Sequence, residues 1–596
     1  MGEVTRREEI DEQFKWKMED VYAAEDLFEK EKEQAKEMMQ RIAKYQGTLC
    51  RDFETFRDCM FLMRDARWLV ERVYFYANQR YHEDLGVGRY QGMAQEAGDL
   101  LNEYGTKVSF IEPEILAADN AKIEEYLSDA SMKEFVPYIS DLMRQKEHVL
   151  GKSEEEILAA AGKIASTADD IFQIMNNADF KFEDVVNEKG EKLPLTHGRY
   201  SMYLESQDRT LRKSAFENVY KLYDAYANTL STIYASSVKK DQFYASVRKY
   251  DSCRAMFLAD ANIPESVYDN LIEVVHENLP ILHRYVELRK RALHLDEVHL
   301  YDMYTPMVDE VEFHIPYEEA KKMVVEGLAP MGQEYLEILQ EGMENGWIDV
   351  YENEGKRSGA YSWSVYGTHP YVLLNYQDNL DSVFTLAHEM GHAMHSYYSN
   401  QTQPYMTADY KIFVAEVAST CNESLLIQHL IDKCENQKEK AYLLNHFLEQ
   451  FRTTLFRQTM FAEFEKKTHE LVDTGKPLNK DILCEIYYDL NKQYFGDNVV
   501  VDSQIAMEWA RIPHFYSAFY VYQYATGFSA AIALSKRILD MGEEAVNDYK
   551  KFLSGGSSSY PIELLKAAGV DMSEKKPVED AIKLFEKLLL EFERYL

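Results

Sequence analysis

The feature that most constrains this sequence is a helical segment carrying two histidines four residues apart. Apolar residues recur at helical spacing across residues 381–395. Residues four apart share a helix face, so His388 and His392 can present two imidazole nitrogens to one metal ion. Glu389 lies one step around the helix, where it can take a proton from water without being a ligand. This H-E-x-x-H pattern predicts a metal centre with a general base.

A third protein ligand must come from outside that motif. One arrangement places Gly seven and His ten residues after the first histidine, but His395 and Tyr398 occupy those positions here. The other takes a glutamate from a following helix, and residues 409–423 predict such a helix. We predict Glu416 as the ligand, because an unpaired carboxylate among apolar neighbours would be costly. Glu423, two turns later, is the alternative ligand, and its predicted role is to accept the free N–H of a ligand histidine.

A further histidine, His395, also lies on the ligand face, three residues after His392. As a fourth protein ligand it would close the position that a catalytic metal keeps for water. We therefore predict that His395 is a neighbour of the site and not a ligand.

The two helical segments together resemble the thimet oligopeptidase family of zinc peptidases, specifically its oligoendopeptidase F branch. The resemblance rests on residues 388–395 and 413–416 and extends over roughly residues 10–590. It implies a mainly α fold, a large helical two-lobed body around a deep substrate channel. It also implies one Zn²⁺ ion per chain. Because such a channel excludes folded proteins, the expected substrates are short unfolded oligopeptides.

Composition narrows the partners and the compartment. The chain has 596 residues, 46% of them hydrophobic, and a net charge of −36, which argues against nucleic acid and anionic membranes and favours cationic peptides. Its six cysteines form no C-x-x-C pair, the first 17 residues are charged throughout, and no apolar run is long enough to span a membrane. We predict a cytoplasmic protein with peptide substrates as partners. The sequence does not indicate an oligomeric state.

Helical patterns divide the chain into three predicted regions. Residues 1–116 are expected to form an N-terminal helical region of long helices. Shorter helices and a hairpin around residues 187–190 fill residues 117–200, the predicted oligoendopeptidase F-type N-terminal domain. Residues 201–596 are predicted to form the zinc metallopeptidase catalytic domain.

A small β element is predicted just before the zinc helix. Glycine turns around β-branched and aromatic residues indicate a loop and short strands there. An exposed strand edge could pair with an extended peptide, although a sheet without substrate contact is the alternative. The resemblance favours pairing, with Gly355 and Gly359 in a loop that shifts as the cleft closes. The predicted substrate-binding residues are Gly355, Gly359, Tyr366, Gly367 and His369.

A second informative block, nearer the C-terminus, is rich in tyrosine. Tyr516, Tyr520 and Tyr524 recur every four residues, which predicts a row of phenol donors on one helix face. Peptide hydrolysis needs donors where the oxyanion develops. In the resembling family a histidine and tyrosines of this region do this, and His514 matches that histidine. Tyr520 and Tyr524 are four residues apart, as in the family, although their sequence distance from the histidine differs by one residue from that in the thimet branch. Tyr516 and Tyr522 stay alternatives.

The predicted function is a zinc-dependent endopeptidase that hydrolyses internal bonds of short unfolded oligopeptides with a zinc-activated water. His388, His392 and Glu416 are the predicted ligands and Glu389 the general base. An exopeptidase, such as a dipeptidyl carboxypeptidase, would need a fixed cation for the substrate C-terminus, and Arg511 is the nearby candidate. A non-enzymatic peptide-binding protein is the second alternative, although it would have no use for Glu389.

Overall fold

Helices make up most of the chain in the computed structural model, which describes residues 5–308 and 311–596. The helices before residue 300 are α1 (Glu25–Ile42), α2 (Phe53–Glu83), α3 (Gly88–Val108), α4 (Ile111–Ala117), α5 (Asn120–Leu127), α6 (Val136–Arg144), α7 (Lys152–Ala165), α8 (Thr167–Ile174), α9 (His197–Glu205), α10 (Arg209–Ala225), α11 (Ala227–Val247), α12 (Cys253–Ala259) and α13 (Glu265–Ala292). Those of the remainder are α14 (Tyr317–Gly327), α15 (Gln333–Glu344), α16 (Leu380–Thr402), α17 (Tyr405–Ala408), α18 (Ile412–Lys433), α19 (Gln437–Gln450), α20 (Arg457–Asp473), α21 (Lys480–Phe495), α22 (Tyr522–Met541), α23 (Glu543–Leu553), α24 (Pro561–Ala567) and α25 (Lys576–Phe592). The predicted mainly α fold is confirmed.

The chain folds into two compact units, each assembled from three separate segments. The first unit contains Met1–Lys146, Glu312–His429 and Leu534–Val570. The second contains Glu147–Val311, Leu430–Ala533 and Asp571–Leu596. The three-region division at residues 116 and 200 and the substrate channel stay predictions. No helix of the described residues is both long and apolar enough to cross a membrane.

The core of the first unit forms around α1, α2 and α3. The methionine and aromatic stripe of α2 turns inward, and Met60, Val73 and Tyr76 are all buried. Asp52 begins this helix by accepting the backbone N–H of Thr55 over 2.8 Å, which satisfies one of the free amides of its first turn. Buried side chains from the sheet, including Leu373, join the same core.

A three-stranded sheet lies in the first unit, as the sequence predicted. Its strands are β4 (Ile348–Asp349), β5 (Tyr361–Trp363) and β6 (Tyr371–Leu373), in the order β4-β6-β5. The central strand β6 runs parallel to β4 and antiparallel to β5, with Ser362 opposite Val372. Strand β5 is therefore an edge strand, and it contacts helix α16.

Helix α16 carries the H-E-x-x-H motif, and its start and its end follow from local chemistry. The Asn379 side chain accepts the backbone N–H of Ser382 over 2.9 Å and caps the first turn. The helix ends at Thr402, just before Gln403 and Pro404, because a residue that precedes proline disfavours helical backbone. Its apolar positions, such as Leu386, are buried and anchor it in the core of the unit.

The second unit has two short strand pairs between its helices. Strands β1 (Val185–Val186) and β2 (Lys192–Leu193) pair antiparallel around a turn with Gly190 at φ +78°, which confirms the predicted hairpin. Strands β3 (Val298–His299) and β7 (Val499–Val500) pair in parallel.

Candidate active site

Three side chains of the first unit bring their ligand atoms together. His388 and His392 come from α16, and Glu416 comes from α18. The Nε2 atoms of the two histidines lie 3.2 Å apart. Glu416 Oε2 lies 3.3 Å from Nε2 of His388 and 3.4 Å from Nε2 of His392. The three donors thus form an almost equilateral triangle.

The size of this triangle can be compared with a metal coordination sphere. Nitrogen and oxygen ligands sit about 2.0–2.1 Å from Zn²⁺, so neighbouring ligand atoms of a tetrahedral site are roughly 3.3–3.4 Å apart. The observed separations match one face of such a tetrahedron. The residues therefore fit a tetrahedral divalent ion that keeps its fourth position open.

The reason for predicting Glu416 was wrong, although the residue lies where it was expected. Its apolar neighbours Phe413, Val414 and Val417 are buried, whereas 45% of the Glu416 side chain is exposed. Burial alone would raise the pKa of Glu416, but hydrogen bonds from the two histidines lower it. The carboxylate is thus part of an open site and not a charge trapped in the core.

Glu423 lies against Nδ1 of His388. Its role in supporting a metal ligand stays a prediction. Nδ1–H of His388 donates to Glu423, which leaves Nε2 facing Glu416 and His392. Burial alone would lower the pKa of His388, but its contacts with Glu416 and Glu423 raise it to about 10. The two carboxylates therefore favour positive charge at this position.

Glu389 points toward strand β5. Only 7% of this residue is exposed, and the backbone N–H of Ser362 lies close enough to favour its charged form. Burial raises the pKa of Glu389, and the neighbouring His388 and His392 offset only part of that effect. A carboxylate with a raised pKa beside the donor triangle can accept and return a proton.

Close packing of α16 on α18 holds the ligands together. A Cβ atom on Gly391 would lie 2.5 Å from Cα of Ser419 and 2.8 Å from the carbonyl oxygen of Ala418. Glycine therefore lets the two helices touch between His388 and His392. The buried Asn422 adds a direct link, since its Nδ2 donates to the Ala387 carbonyl over 3.2 Å.

His395 is held away from metal chemistry by its packing. It is 1% exposed, and its ring stacks on Tyr410 at a centroid distance of 3.8 Å. Burial lowers the pKa of His395 to about 3, so the ring is neutral. The donor triangle does not include His395, in agreement with its predicted place as a neighbour.

His514, Tyr520 and Tyr524 form an aromatic cluster in the second unit. The His514 ring lies 6.4 Å from that of Tyr520 and 6.0 Å from that of Tyr524, and the two tyrosines are 5.4 Å apart. Three polar groups predicted as oxyanion donors are thus neighbours. Their position within the catalytic mechanism stays a prediction.

The predicted helical row of tyrosines is wrong. A 3-10 helix covers Pro513–Tyr516, irregular backbone follows, and α22 begins only at Tyr522. The break coincides with Phe519, which has φ +55°, a backbone conformation that a helix cannot contain. The backbone of Phe519 donates to the carboxylate of Glu465 over 3.0 Å, which supports this conformation.

The two alternative tyrosines are part of the core packing. Tyr516 stacks on Phe172 at 4.5 Å, and burial raises its pKa. Tyr522 is buried against Tyr268 at a ring distance of 5.0 Å. These contacts favour Tyr520 and Tyr524 as the donors.

The predicted mobile loop is hydrogen-bonded to the rest of the first unit at both of its glycines. Gly355 has φ +78°, and its carbonyl accepts the N–H of Leu85 over 2.7 Å. The next residue, Lys356, forms a buried ion pair with Asp349 at 2.7 Å. Gly359 has φ +84°, and a Cβ there would meet no atom within 4 Å. The Gly359 carbonyl accepts a hydrogen bond from the Asn375 side chain over 2.7 Å. Movement of this loop stays a prediction.

The other predicted substrate-binding residues have contacts within the protein. The Tyr366 hydroxyl donates to the Gln403 carbonyl over 3.0 Å, and Gly367 packs on the Trp68 ring. His369 stacks on Trp347 at 5.3 Å with its ring almost parallel. Substrate contact by these residues stays a prediction.

Arg511 is engaged inside the second unit. Its Nη2 lies 3.3 Å from Glu508, its Nε donates to the Tyr220 hydroxyl over 3.4 Å, and its guanidinium lies over the Tyr200 ring. Arg511, the candidate cation for binding a substrate C-terminus in an exopeptidase, thus already forms an ion pair with Glu508.

Two residues beside the ligands were missed by the sequence analysis. Ser362 contributes a backbone N–H to Glu389, which no side-chain pattern reveals. Asn422 could have been identified from the sequence, because a polar amide within the apolar part of α18 needs a buried hydrogen-bond partner.

Comparison with known proteins agrees with this geometry. Residues 202–584 match peptidase family M3, and residues 114–182 match Oligopeptidase F. Oligopeptidase PepF of Bacillus subtilis (strain 168) is 46% identical over 591 residues, covering 99% of this chain and 88% of that protein. The chromosomal Oligoendopeptidase F of Lactococcus lactis subsp. cremoris is 40% identical over 596 residues, covering 99% and 98%.

Solved structures also share the fold. A crystal structure of oligoendopeptidase-F from Enterococcus faecium superposes with a TM-score of 0.74 at 37% identity, covering 96% of this chain and 99% of that chain. A putative peptidase from Chlamydophila abortus superposes with a TM-score of 0.94 at 32% identity, and both chains are fully covered.

Proposed function

The chain belongs to peptidase family M3 and is a metalloendopeptidase, and from that premise we propose a zinc-dependent oligoendopeptidase specific for short unfolded peptides. The observation that carries the choice of metal is the donor triangle of His388, His392 and Glu416, whose edges of 3.2, 3.3 and 3.4 Å suit tetrahedral Zn²⁺. Two imidazoles and one carboxylate are also a ligand set that zinc accepts in catalytic sites.

The proposed chemistry divides between metal and protein. His388, His392 and Glu416 would hold the Zn²⁺ ion, which would supply Lewis-acid activation of a water and of the scissile carbonyl. Glu389 accepts the proton of the attacking water and then delivers it to the leaving amine. Glu423 keeps His388 in the tautomer that presents Nε2.

Strand β5 is proposed to hold the substrate backbone. It lies at the edge of its sheet, and Ser362 in its centre touches Glu389. An extended peptide that pairs with this edge would bring a backbone carbonyl close to the base. Only an extended, unfolded segment can pair with a strand edge. This requirement supports unfolded peptides, and not folded proteins, as the substrates.

His514, Tyr520 and Tyr524 are proposed to stabilise the oxyanion, on the strength of the family resemblance. Their mutual proximity supports a shared role. Burial lowers the pKa of His514, so the ring is neutral near pH 7 and can donate one N–H.

A cytoplasmic location is also part of the proposal. The six cysteines are all free thiols, as expected in a reducing compartment.

The test uses one peptide of about ten residues in four forms: free, N-acetylated, C-amidated and blocked at both ends. An endopeptidase cuts all four at the same internal bond, as mass spectrometry would show. Loss of cleavage on C-amidation would instead establish a carboxypeptidase. An intact folded protein in the same reaction should stay uncut.

Metal dependence is tested in the same assay. A chelator should abolish cleavage, and Zn²⁺ should restore it with one ion per chain by elemental analysis. Metal binding without cleavage of any peptide would contradict the enzymatic proposal.

A further inference from the structure

A cavity of about 400 Å³ lies in the first unit, lined by residues of α2, strand β5, α16 and α17. Residues 362–366 line one side of it, beginning with Ser362, whose N–H contacts Glu389. Ser396, one helical turn after His392, lines another side. The cavity therefore begins beside the catalytic base, and its volume is in the range of small-ligand pockets.

Aromatic side chains form much of the wall. The Trp363 ring meets that of Phe75 at 5.0 Å and that of Tyr74 at 6.0 Å. Aromatic rings attract guanidinium and ammonium groups as well as apolar stems. The aromatic residues that line the cavity are Tyr74, Phe75, Trp363, Tyr366, Tyr405 and Tyr410.

One ion pair in the wall is already satisfied. Nε of Arg67 donates to Oε1 of Glu71 over 2.8 Å. The Tyr405 hydroxyl donates to the other oxygen of Glu71 over 2.5 Å. These two charges therefore balance each other.

Asp409 lies in the same wall, and the nearby charges of Arg67 and Lys411 act to lower the pKa of its carboxyl. Among the described residues, no Lys, Arg or His nitrogen forms an ion pair with its carboxylate, which accepts only the N–H of Tyr410 at 2.9 Å. Desolvation by surrounding protein atoms raises the pKa of Asp409 more than Arg67 and Lys411 lower it, although the residue as a whole is exposed. A cation in the cavity would offset that penalty. Asn400 also lines the cavity, and its buried amide nitrogen has no acceptor among the residues described.

We propose that this cavity is a subsite for the side chain of an arginine or lysine in the peptide substrate. The cation lies against Asp409, and the stem packs over the aromatic wall. The net charge of −36 favours the same class of peptides. This inference rests on the proposed pairing of substrate with strand β5.

The cavity fixes where the basic residue stands in the substrate. The cavity begins at Ser362 in strand β5 and continues past the C-terminal end of the strand to Tyr366. A peptide antiparallel to β5 would place a residue N-terminal to the cleaved bond there, and a parallel peptide a C-terminal one. The basic preference must therefore occur at one fixed position.

The first experiment is digestion of a randomised peptide library by the zinc-loaded enzyme, with cleavage sites read by mass spectrometry. Enrichment of Arg and Lys at one position relative to the cleaved bond is the expected result. Cleavage without basic enrichment at any position would overturn the subsite and leave the peptidase intact. No cleavage at all would overturn the peptidase proposal and the subsite with it.

The second experiment assigns the preference to Asp409. Matched peptides carry arginine or citrulline, its neutral isostere, at the enriched position. Asp409→Asn should lower kcat/KM for the arginine peptide about tenfold, as expected for one charge-assisted contact, and leave the citrulline peptide unchanged. Equal losses on both peptides would overturn the assignment.

Two further variants guard against trivial effects. Asp381→Asn changes an exposed acid of α16 that does not line the cavity, and it should keep the arginine preference. Asp409→Lys should turn the preference toward glutamate at the same position. Zinc content and melting temperature equal to wild type would show that each variant is folded.

Discussion

The backbone N–H of Phe519 donates to the carboxylate of Glu465 over 3.0 Å, although the two residues are 54 positions apart. Phe519 has φ +55°, and Glu465 is 0% exposed. Residues other than glycine rarely adopt this conformation, so the hydrogen bond and the packing around Phe519 must sustain it. The next residue is Tyr520, and this single contact therefore helps to determine where that phenol lies.

Glu465 makes a pH-dependent contribution to stability. Burial raises its pKa well above the ordinary value, and nearby Asp241 adds to the effect. The folded state keeps the proton that the unfolded state loses above about pH 4.3, so this contribution falls as pH rises. Glu465→Gln keeps an acceptor for Phe519 and has no proton to lose. We expect its melting temperature to exceed that of wild type more at pH 8 than at pH 5.

Glu463, on the same helix, provides a control of opposite sign. Burial alone would raise its pKa, but hydrogen bonds from His276 and Lys467 lower it. Because an unfolded glutamate titrates near pH 4.3, Glu463→Gln should therefore destabilise the protein more at pH 5 than at pH 3. If both variants respond to pH in the same direction, the account of Glu465 is incorrect.

Replacing Glu389, the proposed general base, should separate binding from chemistry. Glu389→Gln keeps the shape of the side chain but cannot accept a proton. We expect kcat to fall by about 10²–10⁴-fold or more with zinc content unchanged. Stopped assays on one peptide give kcat, and elemental analysis of the same sample gives the zinc content. Near-normal turnover would refute the role of Glu389 as general base.

Loss of the Glu423 contact should weaken metal binding. Glu423→Gln removes a charged acceptor from Nδ1 of His388, and such changes typically lower metal affinity 10–100-fold. Competition with a zinc chelator gives the affinity. Asp432→Asn, also on α18, is the matched control, and an equal loss there would argue against a specific role for Glu423.

The helix contact at Gly391 should be intolerant of one methyl group. Gly391→Ala would drive Cβ into the backbone of Ser419, so we expect a destabilisation of about 1–3 kcal/mol and weaker zinc binding. Gly98→Ala is the control, because its Cβ would meet no atom within 4 Å inside α3. That variant should be more stable by about 0.5–1 kcal/mol. Denaturant unfolding distinguishes the two.

Local periodicity was enough to predict the ligand helix. Residues four apart on a helix share a face whatever the rest of the fold, so His388 and His392 could be paired from the sequence. Glu416 was also identified, although its 45% exposure contradicts the burial argument used for it. The open face of α18 depends on where α16 packs, which periodicity does not contain.

The tyrosine block shows where local patterns fail. A four-residue step predicted a helical row, but a long-range bond to Glu465 and the unusual φ of Phe519 break the helix first. The clustering of His514 with Tyr520 and Tyr524 is a product of that break.

The cavity of the first unit was missed for a similar reason. Arg67, Trp363 and Asp409 come from three distant parts of the chain, and nothing near any of them marks a shared site. Only the packing of α2, β5 and the segment after α17 brings them together.

The brevity of strand β5 limits what its open edge can recruit. Long open edges recruit strands from neighbouring molecules and lead to aggregation. This edge is three residues long, and Gly359 and Gly367, with φ +84° and +95°, turn the chain away on either side. A short peptide can pair there and leave after one round of hydrolysis, whereas a β-rich neighbour finds too little length to add a lasting strand.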